Sequence, residues 1–335
     1  MTQTLCALLG ACPLALGRRR CQSLGLSCRV LTVSMLTVIQ ALWPLFFLIV
    51  VGYVMRRTGF PGDDFWPGAE RMNYFVLFPA LLFRSLSNAP LDDPALPRVV
   101  VAVLLTLAVC SVGLAVLRRV RDWPAGRYGV YVQGVLRFNT YLGLATTGVL
   151  FGEIGLAIAA VFLAVLVPLV NVLSVLAFSG GQQVSWRARL LPMAKNPLIL
   201  ACLFGALFNL SGGELVWGSE RLVDFLASTS LPLGLLTVGA ALKPELLRGH
   251  LHGLLANSLS RLLLAPVVAW CCMKLLGLPA MEGALLVLFF ALPTAPTAYV
   301  LTRQFKGDAE LMAGIITLQT LLSGLSLLLI LSWLV

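Results

Sequence analysis

Polar and apolar positions along this chain are sorted into long blocks. Runs of about twenty mostly apolar residues, the length a helix needs to cross the hydrocarbon of a bilayer, recur at 36–55, 69–88, 97–117, 128–150, 153–178, 195–211, 220–242, 251–276, 281–302 and 309–334. Short polar segments separate them, the longest at about 179–194. The pattern predicts an all-α polytopic membrane protein with ten transmembrane helices.

Two of the runs are interrupted. RFNTYLGLATTG (137–148) brings an arginine, an asparagine, four hydroxyls and two glycines into the fourth span, and PTAP (293–296) brings two prolines into the ninth. Proline removes a backbone donor and clashes with the preceding turn. Glycine and asparagine tolerate non-helical dihedrals. A break at membrane depth costs several kcal/mol per unpaired group, so it persists only where the backbone is buried in protein or lines a polar cavity.

The breaks also match each other. At one fixed offset of 155 residues (139 to 294), Asn139 aligns with Thr294, Gly143 with Ala298, and Gly152-Glu153 with Gly307-Asp308. Pro79 in the second span and Pro232 in the seventh form a second, looser correspondence. Five spans precede the 179–194 loop and five follow it. An odd number per half turns the second half upside down, so 35–178 and 195–335 are expected to be inverted five-helix repeats. Many secondary transporters are built this way, with a midplane site at discontinuous helices. The exposed half-helix N-termini suit an anion.

Composition agrees with a lipid solvent. The chain is 59% hydrophobic and 11% charged, against about 25% charged for a soluble domain, and its mean hydropathy is +0.94. The net charge of +10 lacks a basic patch interleaved with aromatics, so nucleic acid is not an expected partner. The basic residues instead sort by loop. Odd-numbered loops carry Arg56 and Arg57; Arg118, Arg119, Arg121 and Arg127; Arg187, Arg189 and Lys195; Lys243 and Arg248; Arg303 and Lys306. Even-numbered loops hold Asp92, Asp93, Glu153, Glu214 and Glu282. The positive-inside bias places odd loops in the cytoplasm and both ends of the bundle outside, in a plasma (inner) membrane.

Residues 1–34 break the pattern. Their RRR at 18–20 follows an apolar run, the reverse of signal-peptide order, and would lie on the wrong side. They are expected to be a disordered tail or a misassigned start ahead of Met35. Eight cysteines include no CxxC pair, and the only histidines are His250 and His252. Neither a disulfide framework nor a metal site is expected, and no cofactor. HExxH, G-x-S-x-G and GxxxxGK[ST] do not occur, which argues against an enzyme.

Within the breaks, Asn139 is the first candidate ligand, because its amide both donates and accepts. Thr140, Tyr141 and Thr294 add hydroxyls. Arg137 lies on the cytoplasmic side of the break, where it either attracts an anion or snorkels to the interface. Asn171 in the fifth span is placed to reach a cavity. Asn73 and Gln319 read as interhelical glue. Gly143, Pro293, Pro296, Pro79 and Pro232 shape the helix breaks. Acidic residues map near span ends, so a buried carboxylate relay is not expected; this favours transport driven by membrane potential, or ion coupling through backbone carbonyls and hydroxyls, with Na⁺ or H⁺ as the coupling ion left open.

The segments WPLFFLIVVGYVMRRTG, NYFVLFPALLF, RFNTYLGLA, LPLGLLTVGAAL and ALPTAPTAYVLTRQFKGD, in order across 35–335, resemble the auxin efflux carrier family. The resemblance implies two inverted five-helix repeats whose fourth and ninth helices cross at their breaks beside the substrate. It implies alternating access for small organic anions, carboxylates such as malonate or auxin-like acids, and is compatible with a homodimer. One departure is visible: the family often carries a polar amide in the ninth-helix break, where this chain has Thr294 and Thr297. An intramembrane enzyme, or a channel or sensor of the same fold, are the alternatives.

Overall fold

Each of the ten apolar runs is helical, apart from the two interruptions. The computed structural model describes residues 35–62, 64–89, 94–179, 196–248 and 251–334. The expected tail at 1–34, nearly all of the 179–194 loop and His250 lie outside them.

The helices are α1 (Met35–Arg57), α2 (65–87), α3 (Leu96–Arg121), α4 (Ala125–Leu136), α5 (Thr140–Phe178), α6 (Pro197–Leu210), α7 (Ser219–Ala240), α8 (Leu251–Leu275), α9 (Ala280–Ala291), α10 (Thr297–Gln304) and α11 (Ala309–Leu334). Among the described residues there is no strand. Six helical stretches are long and apolar enough to span a membrane: Val38–Arg57, Leu96–Arg121, Ala125–Phe178, Ser219–Ala240, Leu251–Leu275 and Ala309–Leu334. The remaining expected spans differ for local reasons. α2 opens with the polar turn FWPGAERM, α6 has only 14 residues, and the ninth run is split into α9 and α10. The fourth run is split into α4 and the start of α5, and its second half continues through the fifth run as α5, with a kink at Gly152 (φ 62°, ψ −155°), a backbone conformation that only glycine adopts readily.

Helix bounds recur at the offset seen in the sequence. α4 spans 125–136 and α9 spans 280–291; α3 begins at Leu96 and α8 at Leu251. The second proline correspondence is corrected. Pro79 and Pro232 are 153 residues apart (79 to 232), and neither breaks its helix. Pro232 sits inside the continuous α7. Pro79 follows a π turn over Asn73–Leu77, whose wider i→i+5 turn accommodates the ring.

Close packing comes from missing side chains. A Cβ on Gly239 of α7 would lie 1.9 Å from the Ile49 carbonyl oxygen of α1, and one on Gly52 would lie 2.0 Å from that of Leu236. Small residues let membrane helices approach backbone to backbone. Asn73 joins α2 to α7 as the glue its sequence position suggests: its Nδ2 donates to Ser230 O (3.0 Å), and Ser230 Oγ donates to its Oδ1 (2.9 Å). The core lies around the two breaks, where Phe289 stacks on Phe162 (5.6 Å) and meets Phe138 edge-on (5.6 Å).

The ends of the bundle also sort. Arg84 at the end of α2 reaches Asp224 (2.6 Å) and Glu153 (3.8 Å), and Arg98 donates to Gly277 O, so even-numbered loops gather at one end. At the other end Phe178 stacks on Phe305 (5.4 Å), and Gly126 lies against Gly307.

The α1–α7 contact yields a test. Gly239→Val should destabilise by roughly 1–3 kcal/mol through overpacking and lower the unfolding midpoint in detergent by several degrees. Gly68→Ala, where an added Cβ meets nothing within 4 Å, should leave the midpoint unchanged or slightly raised. Equal shifts in the two variants would mean that the close approach is not what holds these helices.

Candidate functional site

The two breaks are built alike and touch. α4 ends at Leu136, and its C-cap Arg137 turns extended (φ −71°, ψ 146°). α9 ends at Ala291, and its C-cap Leu292 does the same (φ −65°, ψ 146°). The helical path resumes at Thr140 and Thr297. Asn139 N donates to Pro293 O (2.8 Å), one backbone bond from break to break. Gly143 packs closely there: a Cβ would sit 2.6 Å from Leu292 Cδ1, so that side chain would have to shift.

Behind the breaks, protein donors and acceptors take up the freed backbone. Gln319 of α11 accepts from Thr294 N (2.8 Å) and donates to Gly134 O (2.9 Å) and Asn257 Oδ1 (3.1 Å). Asn257 donates in turn to Tyr131 O (3.0 Å). Thr294 Oγ1 donates to Gln133 O (3.1 Å), and Gln133 Nε2 to Thr302 Oγ1 (2.9 Å). Arg261 of α8, fully buried, spreads three bonds over both helix ends: Nε to Leu292 O (2.5 Å), Nη1 to Val135 O (2.7 Å) and Nη2 to Phe289 O (2.8 Å).

In front of the breaks lies a cavity of about 430 Å³, within the usual range of small-molecule sites. Its wall includes Arg137, Asn139, Thr140, Tyr141, Asn171 and Thr297. Arg137, half-buried, donates from Nη1 to Thr297 Oγ1 (3.0 Å) and from Nη2 to Asn171 Oδ1. Its Nε has no partner, and among the described residues no carboxylate lies within ion-pair distance of it. The snorkelling alternative is therefore set aside. Asn139 caps α5, its Oδ1 accepting from Leu142 N (3.1 Å). Its amide Nδ2 is left buried and unpartnered. The N-termini of α5 and α10, each with partial positive charge, point to the same place.

The candidates thus divide. Asn139, Thr140, Tyr141, Arg137, Asn171 and Pro296 line the cavity. Thr294 does not: it is wholly buried and spends both its N–H and its hydroxyl on the bonds behind the break, while Thr297 takes the place expected of it. Gly143 and Pro293 lie behind the wall, and Pro79 and Pro232 away from it. Sequence reasoning missed Glu70, Tyr74, Asn196 and Thr237, which also line the cavity. Glu70 lies in the first turns of α2, near a helix end like the other acidic residues, and still lines the cavity. Reasoning also missed Arg261, whose signal was an arginine inside the apolar window SLSRLLLAPVV.

A family model described as "Membrane transport protein" matches residues 183–331. An "Uncharacterized transporter" of Methanothermobacter thermautotrophicus is 28% identical over 84% of this chain and 93% of its own length. A Methanocaldococcus jannaschii protein with the same description is 23% identical over 82% and 92%. A Rhizobium meliloti protein named "Putative malonate transporter" is 26% identical over 84% and 90%. These similarities are in keeping with the resemblance to the auxin efflux carrier family. The chain is a multi-pass membrane transporter, and the family and relatives point to transport rather than catalysis. Gln319 brings an amide to the second break from α11.

Gln319→Leu should expose how far this carrier depends on that amide. It strands the Thr294 N–H and the Gly134 carbonyl in the interior, at about 1–3 kcal/mol each. A fall of several degrees in the unfolding midpoint is expected, against almost none for Asn88→Ala, whose amide bonds are exposed. A Gln319→Leu protein as stable as wild type would show that the breaks are satisfied otherwise.

Proposed function

We propose that this protein is a secondary transporter of small organic anions, carboxylates of the malonate or auxin-like kind, working by alternating access. The observation that carries the reading is the cavity at the paired breaks, where donors converge without a carboxylate on Arg137. Arg137 contributes a fixed positive charge and the free Nε, Asn139 contributes Nδ2, and Thr140 and Tyr141 contribute hydroxyls. A carboxylate fits the planar fork of a guanidinium, and its second oxygen can take the Asn139 amide. Two helix N-termini add to the positive field. The name of the Rhizobium meliloti relative supports the same substrate class.

The recurrence of helix bounds at 155 residues supports two inverted repeats, 35–178 and 195–335, whose fourth and ninth helices cross at the breaks. The basic odd-numbered loops support a cytoplasmic placement for the end that carries Phe178 and Phe305, with the chain in the plasma (inner) membrane. The cavity wall then reaches the cytoplasmic end through Glu70, Arg71 and Gln304, the arrangement of an inward-facing carrier. Tyr74 and Thr237 of the α2–α7 side face the breaks across the cavity.

Flux into proteoliposomes tests this. Labelled malonate, other dicarboxylates and an aromatic carboxylate are offered under an imposed potential. Saturable uptake with counterflow is expected for at least one of them. Arg137→Gln should reduce it by at least about tenfold, as loss of a charge-assisted pair implies, and Asn139→Ala by a smaller factor. Undiminished flux in Arg137→Gln would move the site elsewhere. Folded protein that carries no carboxylate would remove the substrate class.

A further inference from the structure

In many secondary transporters, carbonyls freed where a membrane helix breaks, together with the C-terminal ends of half-helices, coordinate a coupling Na⁺. Here oxygens of that kind are already occupied. Val135 O belongs to the last turn of α4, Phe289 O to the last turn of α9, and Leu292 O to its C-cap. All three accept from one guanidinium, at 2.5–2.8 Å. Arg261 is wholly buried, and among the described residues no carboxylate pairs with it.

Such a charge in an apolar bundle needs compensation. Each half-helix C-terminus carries about −0.5 of an elementary charge. Two of them converge on Arg261, so together they roughly balance its single positive charge. This is the electrostatic demand that a monovalent cation would meet at the same spot. The carbonyls beside these three are also filled by protein: Gly134 O by Gln319, Gln133 O by Thr294, and Pro293 O by Asn139 N. The π turn Ser260–Leu264 carries Arg261, and the chain on either side of it is apolar, so the guanidinium belongs permanently to the protein.

We propose that Arg261, bridging the carbonyl ends of both broken helices, is a built-in cation standing where a coupling ion would bind, so that the carrier moves its anion without Na⁺. Arg261 is on this account a positioning residue. It fixes the two half-helices relative to each other and neutralises their negative ends, which leaves Arg137 on the cavity side free to take the substrate charge. The proposal rests on the carrier reading above.

The experiment compares wild type, Arg261→Lys and Arg261→Ala in two readouts. The first is the unfolding midpoint in detergent, in choline, sodium or low-millimolar guanidinium chloride at equal ionic strength. The wild-type midpoint should not respond to the choice of cation. Arg261→Ala should unfold several degrees lower and recover part of the loss in guanidinium, since a ligand that binds only the folded state raises its stability. Arg261→Lys, which keeps the charge but not the fork, should fall between them.

The second readout is carboxylate flux at clamped potential, expected to be equal in sodium and choline for wild type, about tenfold or more lower in Arg261→Ala, and partly restored by guanidinium. A wild-type flux or midpoint that requires Na⁺ would overturn the proposal, and so would Arg261→Ala with neither loss nor rescue. If Arg261→Ala does not fold, the wild-type cation comparison and Arg261→Lys still decide. Absence of any carboxylate flux in folded wild type would sink the anion-carrier reading instead, while the midpoint arm would still judge Arg261.

Discussion

A helix that breaks inside a membrane leaves carbonyls and N–H groups that water cannot reach, and everything around the centre of this molecule follows from that constraint. Each unpaired group would cost several kcal/mol. The chain meets the cost asymmetrically. The carbonyl ends of α4 and α9 receive a guanidinium and the amides of Gln319 and Asn257, all from helices packed behind them. At the N–H ends, Asn139 Oδ1 caps α5, and the first turn of α10 closes on its own backbone, Ala298 N donating to Ala295 O and Tyr299 N to Pro296 O. The donors left without a partner here are Arg137 Nε and Asn139 Nδ2, on two residues of the cavity wall.

This asymmetry gives the site its sign. With its carbonyls occupied, the back of the crossover has little left to offer a cation. The front holds Arg137, the Asn139 amide and two helix N-termini, all donors. An acceptor-rich ligand is the natural complement, and a carboxylate supplies a full charge as well. Glu70 at the cavity wall does not reverse the sign, because Arg71 stands beside it in sequence and also lines the wall.

The breaks themselves were legible in the sequence because proline, asparagine and glycine are rare interruptions in a lipid-compatible run, and their 155-residue spacing was visible without any structure. Asn139, Arg137 and Asn171 were legible for the same reason. Other features were not. Thr294 and Thr297 are three residues apart in one break, and only the backbone path decides which hydroxyl faces the cavity. Pro79 looked like a breaker, but a π turn absorbs it, and π turns leave little trace in composition. Arg261 was hidden by its context: a single arginine in a span is easily read as peripheral, whereas its role depends on carbonyls from two helices far away in sequence. Glu70 sits in the first turns of α2, where sequence position suggested a solvated end.

Hydrogen bonding across helices also gathers ten of the eleven helices, α3 aside, into two groups. α1, α2, α6 and α7 are tied together by the Gly52 and Gly239 backbone contacts, by the Asn73–Ser230 pair, and by Asn209, whose Nδ2 donates to Leu86, Ser87 and Ala89 carbonyls. α4, α8, α9, α10 and α11 are tied by Arg261, Gln319, Asn257 and Gln133 through the breaks, and α5 joins them through Asn171, which accepts from Arg137. Between the groups the contacts have a different character. Tyr141 meets Phe78 edge-on (5.2 Å) and packs over Gly234, where a Cβ would lie 2.6 Å from its ring. Arg84 reaches the largely exposed Glu153 at 3.8 Å, and Lys243 N donates to Thr317 Oγ1 (2.9 Å). Apart from that ion pair and that hydrogen bond, the seam contacts named are ring and apolar ones, which slide at lower cost than hydrogen bonds break. The cavity lies on the seam, with Arg137 and Asn139 on one wall and Tyr74, Asn196 and Thr237 on the other. A relative displacement of the two groups would then open or close the site while leaving the breaks, and the cation behind them, intact.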